Sequence, residues 1–269
     1  MRAFSVIIPW LSRPELRNTL EANAELFERY SAEVIIVNCG GNPDEVTSLI
    51  QGHAISSLRQ IVLPEVGFNK CLANNLGILS SSGRFIFFLD ADIALESDVF
   101  ARAGVMLPSR RCFIKIRRVR ESQPTEDPNL RYLRQIVDTR DVTFRDGRKA
   151  RLRFVRGGDG SRCGSGLLFV TRRHMLAVGG FNSALNGWGF EDLDLQIRLQ
   201  VVMKLSVRVI GTVVHITHGD EKRNIRSGSR HEDATRNMQQ CFESYSRGIY
   251  TGSYEEDART WQKRLVDGG

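Results

Sequence analysis

Residues 84–95, RFIFFLDADIAL, constrain the chain more than any other stretch. Apolar residues run unbroken from Phe85 to Leu89 and stop at Asp90-Ala91-Asp92. A short apolar run of this kind, entered through Ser80-Ser81-Ser82-Gly83, predicts a strand buried on both faces, as in a parallel sheet. In open α/β sheets, ligands collect outside the carboxyl ends of the strands. Asp90 and Asp92 stand at that end. One residue apart on extended chain, they point different ways. One carboxylate can then hold a metal ion while the other meets a sugar or ribose hydroxyl. Taken alone, the pair reads equally as a solvated turn or a cap for a helix starting near Ser97, so the rest of the chain decides.

Upstream, strands and helices alternate. Phe4 to Pro9 predicts a first strand, ended by Pro9, which cannot donate to a central ladder. A helix follows Arg13-Pro14-Glu15, with Ser12 as N-cap and Leu16, Leu20, Ala24 and Phe27 on its buried face. Glu33 to Val37 predicts a second strand running into the turn Asn38-Cys39-Gly40-Gly41, and Asn42-Pro43-Asp44 opens another helix. Leu58 to Leu63 predicts a third strand, and Gly67 to Ile78 a third helix with Leu72, Leu76 and Leu79 on one face. This spacing implies βαβ units and an α/β class with a mostly parallel central sheet and helices on both faces. Residues 1–107 form the nucleotide-binding half in this reading.

A chain of 269 residues, 41% hydrophobic, can bury a sizeable core. No apolar run approaches the roughly 20 residues that span a bilayer. The N-terminal MRAFSVIIPWLSRPE reads as a strand rather than a signal peptide. Five scattered cysteines, none in a CxxC, read as reduced thiols and point to the cytoplasm. Lys plus Arg number 38 against 31 acids, a net charge of +7 that favours anionic partners: a nucleotide, a phospholipid surface or nucleic acid.

The excess of base concentrates after Pro108. Residues 110–120, RRCFIKIRRVR, contain no acid, and Cys112 to Val119 alternate as a strand with one cationic face would. Basic residues also outnumber acids over 131–156. Such stretches are a solvated face or, more specifically, an acceptor-binding surface. Gln123 to Pro128 predicts a loop. Gly157-Gly158-Asp159-Gly160 is a hinge or lid candidate, and Gly164-Ser165-Gly166 a place where backbone can approach a ligand. Leu167 to Val170 predicts a strand and Arg172 to Val178 a short helix.

The run GGFNSALNGWGFEDLDL, beginning at Gly179, frames Trp188 with glycines and places Glu191, Asp192 and Asp194 at the mouth of a helix. An acid there can simply offset the helix dipole. That explains one acid, not a cluster beside a flat aromatic surface. Sugars dock on such rings, and a neighbouring carboxylate can take a hydroxyl proton. The strand Val213 to His218 then brings His215 and His218, two of the chain's five histidines. With a carboxylate they suit a divalent first-row ion such as manganese.

In this order the motifs resemble the GT-A glycosyltransferases, in particular family two enzymes and the β-1,4-galactosyltransferase group. VIIPWLSRPE, GFNKCLANNLGI, FFLDADI, GGFNSALNGWGFEDLDL and HITHGDEKRN carry the resemblance. It implies a GT-A (Rossmann-like) fold with a smaller acceptor-side extension. Residues 108–224 would form its acceptor-binding and catalytic half, and 225–269 a C-terminal helical extension. It implies a metal-dependent, inverting transfer of a hexosyl unit from a nucleotide sugar, with a UDP-hexose favoured. The hydroxyl acceptor would be a saccharide or lipid-linked saccharide, with polyanions such as hydroxymethylated bases in DNA as the second choice.

Residue by residue, the resemblance makes Asp92, His215 and His218 ligands of Mn2+ (or Mg2+). Pro9, Arg13, Phe68, Lys70, Asp90 and Asp92 would hold the donor. Trp188, Gly189 and Glu191 would hold the acceptor, and Asp192, aided by Glu191, would be the general base. Asn38-Cys39-Gly40-Gly41 stands where many family two members carry acids that read uracil. Leu193 stands where the galactosyltransferases carry an acceptor-binding Asp. Two alternatives follow: a nucleic-acid-binding module on a degenerate transferase fold, and a nucleotidyltransferase, which leaves the Trp188–Asp192 segment unexplained.

Overall fold

The computed structural model describes residues 3–63, 67–123, 132–219 and 224–267. Its strands join in one sheet. The first half is β1 (Phe4–Trp10), α1 (Glu15–Arg29), β2 (Glu33–Cys39), α2 (Pro43–Ile50), β3 (Leu58–Leu63), α3 (Lys70–Ser80) and β4 (Phe85–Phe88). Then come β5 (Ile93–Leu95), α4 (Val99–Ser109), β6 (Cys112–Glu121), β7 (Gln135–Thr143), β8 (Lys149–Gly157) and β9 (Arg162–Thr171). The chain closes with α5 (Arg172–Ala177), α6 (Glu191–Val201), β10 (Ser206–His215), α7 (Arg230–Ser246) and α8 (Tyr254–Asp267).

The strand order is β3-β2-β1-β4-β9-β6-β10-β5, with β7 and β8 hanging from β9 as a hairpin. Pairs β2–β3, β1–β2, β1–β4 and β6–β10 are parallel, so most pairs along the main path are parallel. β9 enters antiparallel between β4 and β6. Side chains alternate across the pleat. Val6, Ile8, Val34 and Ile36 pack toward α1 and α4, whereas Ile7, Ile35 and Val37 pack toward α3 and α6. Every residue of β1, β2 and β4 is buried. The C-terminal helices belong to the second core, which includes Cys241, Tyr245, Tyr250 and Trp261.

Local predictions fail in instructive ways. Pro9 does not end β1; it pairs with Val37, and the strand continues to Trp10. Leu89 N–H donates to the Ile7 carbonyl, so residues of Pro9's parity face β4, whose pairing has ended by then. The missing donor costs no ladder bond there. Ser12 does not cap α1. It lies at φ 46°, and the cap position is Pro14, without a side-chain bond. Trp10 Nε1 donates to the Arg13 carbonyl at 2.8 Å and closes that turn instead. α3 starts at Lys70 rather than Gly67, because Asn69 accepts the Leu72 N–H at 3.0 Å as N-cap. β6 is not evenly cationic on one face: Lys115 is buried and Arg117, Arg118 and Arg120 are exposed. The hinge candidate at Gly157 to Gly160 is the tight β8–β9 turn, where Gly157 N–H donates to the Ser161 carbonyl at 2.6 Å. The expected loop at Gln123–Pro128 lies almost wholly outside the described residues, as do Asp220 to Arg223. The five cysteines are free.

Candidate active site

The carboxyl ends of β1, β4 and β6, the start of α3, the middle of β9 and the mouth of α6 surround a cavity of about 680 Å3. Pro9, Arg13, Phe68, Lys70, Asp90, Asp92, Trp188, Gly189, Glu191, Asp192, His215 and His218 all line it. The whole set expected from sequence therefore lies around one cavity, drawn from positions between Pro9 and His218.

Two clusters divide the cavity. In the first, Asp92 Oδ2 lies 3.1 Å from His218 Nε2, 3.6 Å from His215 Nε2 and 3.9 Å from an Arg13 guanidinium nitrogen. The Ile216 N–H donates to the Asp92 carbonyl at 2.7 Å and joins the two segments through backbone. Burial pushes the Asp92 carboxyl up, but hydrogen bonds to both imidazoles, with His215 and Arg13 charge, hold it well below the usual carboxylate range. One ligand atom from each of Asp92, His215 and His218 lies within 4.8 Å of the others. A carboxylate and two imidazoles on opposed chain segments fit a divalent first-row cation.

Behind His215 stands Glu121, which sequence reasoning missed. Its Oε2 meets His215 Nδ1 at 2.5 Å and accepts from Thr217 Oγ1 at 3.1 Å. Arg162, on the cavity wall, pairs with the other Glu121 oxygen. A carboxylate on Nδ1 leaves Nε2 as the ligating nitrogen. His215 and Glu121 are register partners in the parallel β6–β10 pair, a relation with no local sequence signal. Burial pulls the imidazole of His215 down, but Asp92 and Glu121 outweigh that and raise it.

In the second cluster, Lys70 Nζ lies 2.9 Å from Asp90 Oδ1 and 3.8 Å from Asp192 Oδ2. Asp90 and Asp92 do point apart, one to each cluster. Asp192 and Glu191 occupy the first turn of α6. Asp192 packs on bare backbone: a Cβ on Gly166 would lie 2.5 Å from Asp192 Oδ2. Of the glycines expected to let backbone approach a ligand, Gly166 makes room for this carboxylate of the chain itself, and Gly164 for the side chains of Ile116, Leu167 and Val119. Burial raises both acids. Glu191 is pushed up to about 7, with the Asp192 charge adding to burial and Lys70 opposing. Asp192 is raised too, by burial and Asp90, against Lys70 and Lys115. One Glu191 oxygen is buried without a hydrogen-bond partner among the described residues. Burial would lower Lys70, but Asp192, Asp90 and Glu191 carry it well above its ordinary value.

Trp188 lines the cavity and is partly open to solvent. Gly187 and Gly189 sit at φ 85° and 95°, with Phe190 at 71°, so the loop crosses the left-handed region on both sides of the ring. Asp233 of α7 holds it in place, accepting N–H bonds from Trp188 at 3.0 Å, Arg226 at 2.8 Å and Ser227 through its other oxygen at 2.9 Å. Burial works against that carboxylate's charge, but the backbone donors hold it at about 2. Asn237 donates to the Gly189 carbonyl at 2.8 Å. The Arg230 guanidinium lies 5.5 Å from the Trp188 ring centre. Asp194, grouped with the functional acids on sequence, is structural: it is buried, paired with Arg198 at 2.7 Å and bonded by the Tyr245 hydroxyl at 2.6 Å.

Fold and site define a glycosyltransferase architecture of the GT-A type, and comparison with known proteins agrees. The model of glycosyl transferase family 2 matches residues 5–157, and that of the N-terminal domain of galactosyltransferase matches residues 155–219. The chain belongs to glycosyl transferase family 2. No curated protein sequence matches it. Among solved structures, the mannosyltransferase PcManGT from Pyrobaculum calidifontis, in complex with GDP-Man and Mn2+, superposes with a TM-score of 0.54 at 16% identity. It covers 91% of this chain and 64% of its own. S. aureus TarS 1-349 in complex with UDP-GlcNAc gives a TM-score of 0.59 at 14% identity, covering 89% of this chain and 65% of its own. The chain thus spans just under two thirds of those structures. No helix among the described residues is long and apolar enough to cross a membrane.

Proposed function

We propose that the chain transfers a hexosyl unit from a nucleotide sugar, with a UDP-hexose as the favoured donor, to a hydroxyl of a saccharide or lipid-linked saccharide, with inversion. The observation that carries this is the meeting, in one cavity, of Asp92, His215 and His218 with the Lys70–Asp90–Asp192 cluster. Neighbouring structures hold GDP-Man with Mn2+ in one case and UDP-GlcNAc in another, which supports a nucleotide-sugar donor and a cation.

Asp92, His215 and His218 would hold Mn2+ or Mg2+, which when bound neutralises charge on the diphosphate. Arg13 sits beside Asp92 and Lys70 beside Asp90, so both cations stand ready for the donor's anionic groups. The acceptor hydroxyl lies against Asp192. Its proton passes to the Asp192 carboxylate as its oxygen attacks the anomeric carbon. The bond from that carbon to the diphosphate oxygen breaks, and the electron pair leaves with the nucleoside diphosphate. A carboxylate raised by burial is the stronger base. One base on one face fits a single in-line displacement. Trp188 offers the acceptor sugar a flat apolar surface, and Glu191 orients it.

A polyanionic acceptor is the second choice, since part of the basic stretch is already balanced. Arg118, Arg148 and Arg151 each face an acid already: Asp159, Asp146 and Asp141. The test is a panel of nucleotide sugars with manganese, scored by release of nucleoside diphosphate. One donor should be hydrolysed slowly and only with the cation present. If every donor stays intact, with and without saccharide acceptors, the proposal fails.

A further inference from the structure

The β7–β8 hairpin takes almost no part in the site, yet its outer strand is built to pair. Among the described residues β7 pairs only with β8. Most of β7 is exposed, and its Ile136 and Val137 each remain 43% accessible, with Leu133 just before the strand at 47%. A long exposed edge strand with apolar side chains is a template for another strand.

The register identifies the partner. At the hairpin turn Phe144 N–H donates to the Arg148 carbonyl at 2.9 Å, and the ladder runs without a break from Thr143↔Lys149 to Gln135↔Gly157. Hydrogen-bonded and non-hydrogen-bonded pairs alternate along an antiparallel ladder. Even-numbered residues of β7 therefore bond to β8, and Val137, Thr139 and Asp141 direct N–H and C=O to the open edge. A second β7 related by a two-fold axis must pair odd residues with odd residues. Centring the axis on Asp138 or Arg140 sets like charges directly opposite. Centring it on Thr139 sets Asp138 opposite Arg140 of the partner subunit, and Ile136 opposite Val142 of the partner subunit. Both fall at non-hydrogen-bonded positions, where side chains approach most closely. Asp138 and Arg140 already share one face of the strand, 2.9 Å apart. In this register the edge is complementary to itself in charge at Asp138 and Arg140, in apolar pairing at Ile136 and Val142, and in hydrogen-bond parity, while Val137 falls opposite Asp141 of the partner subunit.

We propose that a second copy of this chain docks antiparallel on the outer edge of β7, with the two-fold axis through Thr139, making one continuous sheet across a homodimer. The contact is isologous, so it closes at two subunits. β8 contributes Phe154 to the cavity wall, so the dimer would steady that side of the site.

Sedimentation equilibrium over a wide concentration range tests this. The wild-type mass should rise from 30.4 kDa toward twice that value. Arg140→Asp creates two like-charge pairs and should raise the dissociation constant about tenfold or more. Adding Asp138→Arg to it restores complementarity and should return the constant to within about threefold of wild type. Thr139→Pro removes an N–H that β8 does not use and should weaken the dimer with the circular dichroism spectrum intact. A mass fixed at 30.4 kDa overturns the proposal. So does a dimer indifferent to Arg140→Asp, or a double variant as weak as the single one.

Discussion

The two ends of the cavity hold carboxylates of the same kind whose proton affinities are shifted in opposite directions. Asp92 is buried, yet two imidazoles and Arg13 hold it charged well below its ordinary range. Asp192 is half-buried, and there desolvation and Asp90 outweigh Lys70, so its affinity for a proton rises. The difference lies in what each meets. One faces hydrogen-bond donors and cationic groups; the other faces bare glycine backbone, neighbouring acids and a lysine shared with Asp90. A carboxylate that stays ionised can hold a cation, and one with raised proton affinity can take a proton in turnover. Divergent environments for like groups are how one site separates two roles.

The largest effect should come from removing the charged end. Asp92→Ala deletes one proposed ligand and leaves two imidazoles and Arg13 without their carboxylate. We expect cation-stimulated diphosphate release to fall by about 10³-fold or more, measured in the donor assay. At the other end, Asp192→Asn keeps shape but loses the proposed base. Transfer should drop by roughly 10²–10⁴-fold with donor affinity little changed, as read by calorimetric titration of the donor beside initial rates. Transfer at the wild-type rate would make the division of roles untenable.

Glu121→Gln sharpens the comparison without touching a proposed ligand. It weakens the hold on His215 Nδ1, and manganese affinity should fall about 10–100-fold by calorimetry, with Asp192-dependent behaviour unaffected. The smallest effect concerns Glu191. Its carboxyl titrates near 4.5 in the unfolded chain and at about 7 in the folded one. The folded state therefore holds this proton more tightly. The stabilisation is complete below the lower value and is lost as pH rises through the upper one. Glu191→Gln should flatten the decline in melting temperature between about pH 4.5 and 7, followed by thermal denaturation across that range.

Much of the fold could be read along the chain, because the first half is governed by local pattern. The apolar runs of β1, β2 and β4 are buried throughout, and alternation with helices fixes their parallel pairing. Asp90, Asp92, Asp192, His215 and His218 were legible because short motifs place acids and imidazoles at element ends. What stayed hidden depends on register or on distant contacts. Glu121 meets His215 only because β6 and β10 lie side by side in parallel. Asp233 organises the Trp188 loop from a helix 45 residues further on. Asp194 looks like its cavity-lining neighbours Glu191 and Asp192 until the helix turns it toward Arg198 and Tyr245. The β7–β8 hairpin was obscured by its arginines, which read as charge rather than as an edge strand.

Manganese binding by electron paramagnetic resonance tests the central claim most directly, since it needs neither donor nor acceptor. The wild-type chain should bind one ion, Asp92→Ala should lose it, and Asp192→Asn should bind as the wild type does. Equal loss in both variants, or binding that survives Asp92→Ala, would contradict the assignment of cation and base to opposite ends of one cavity.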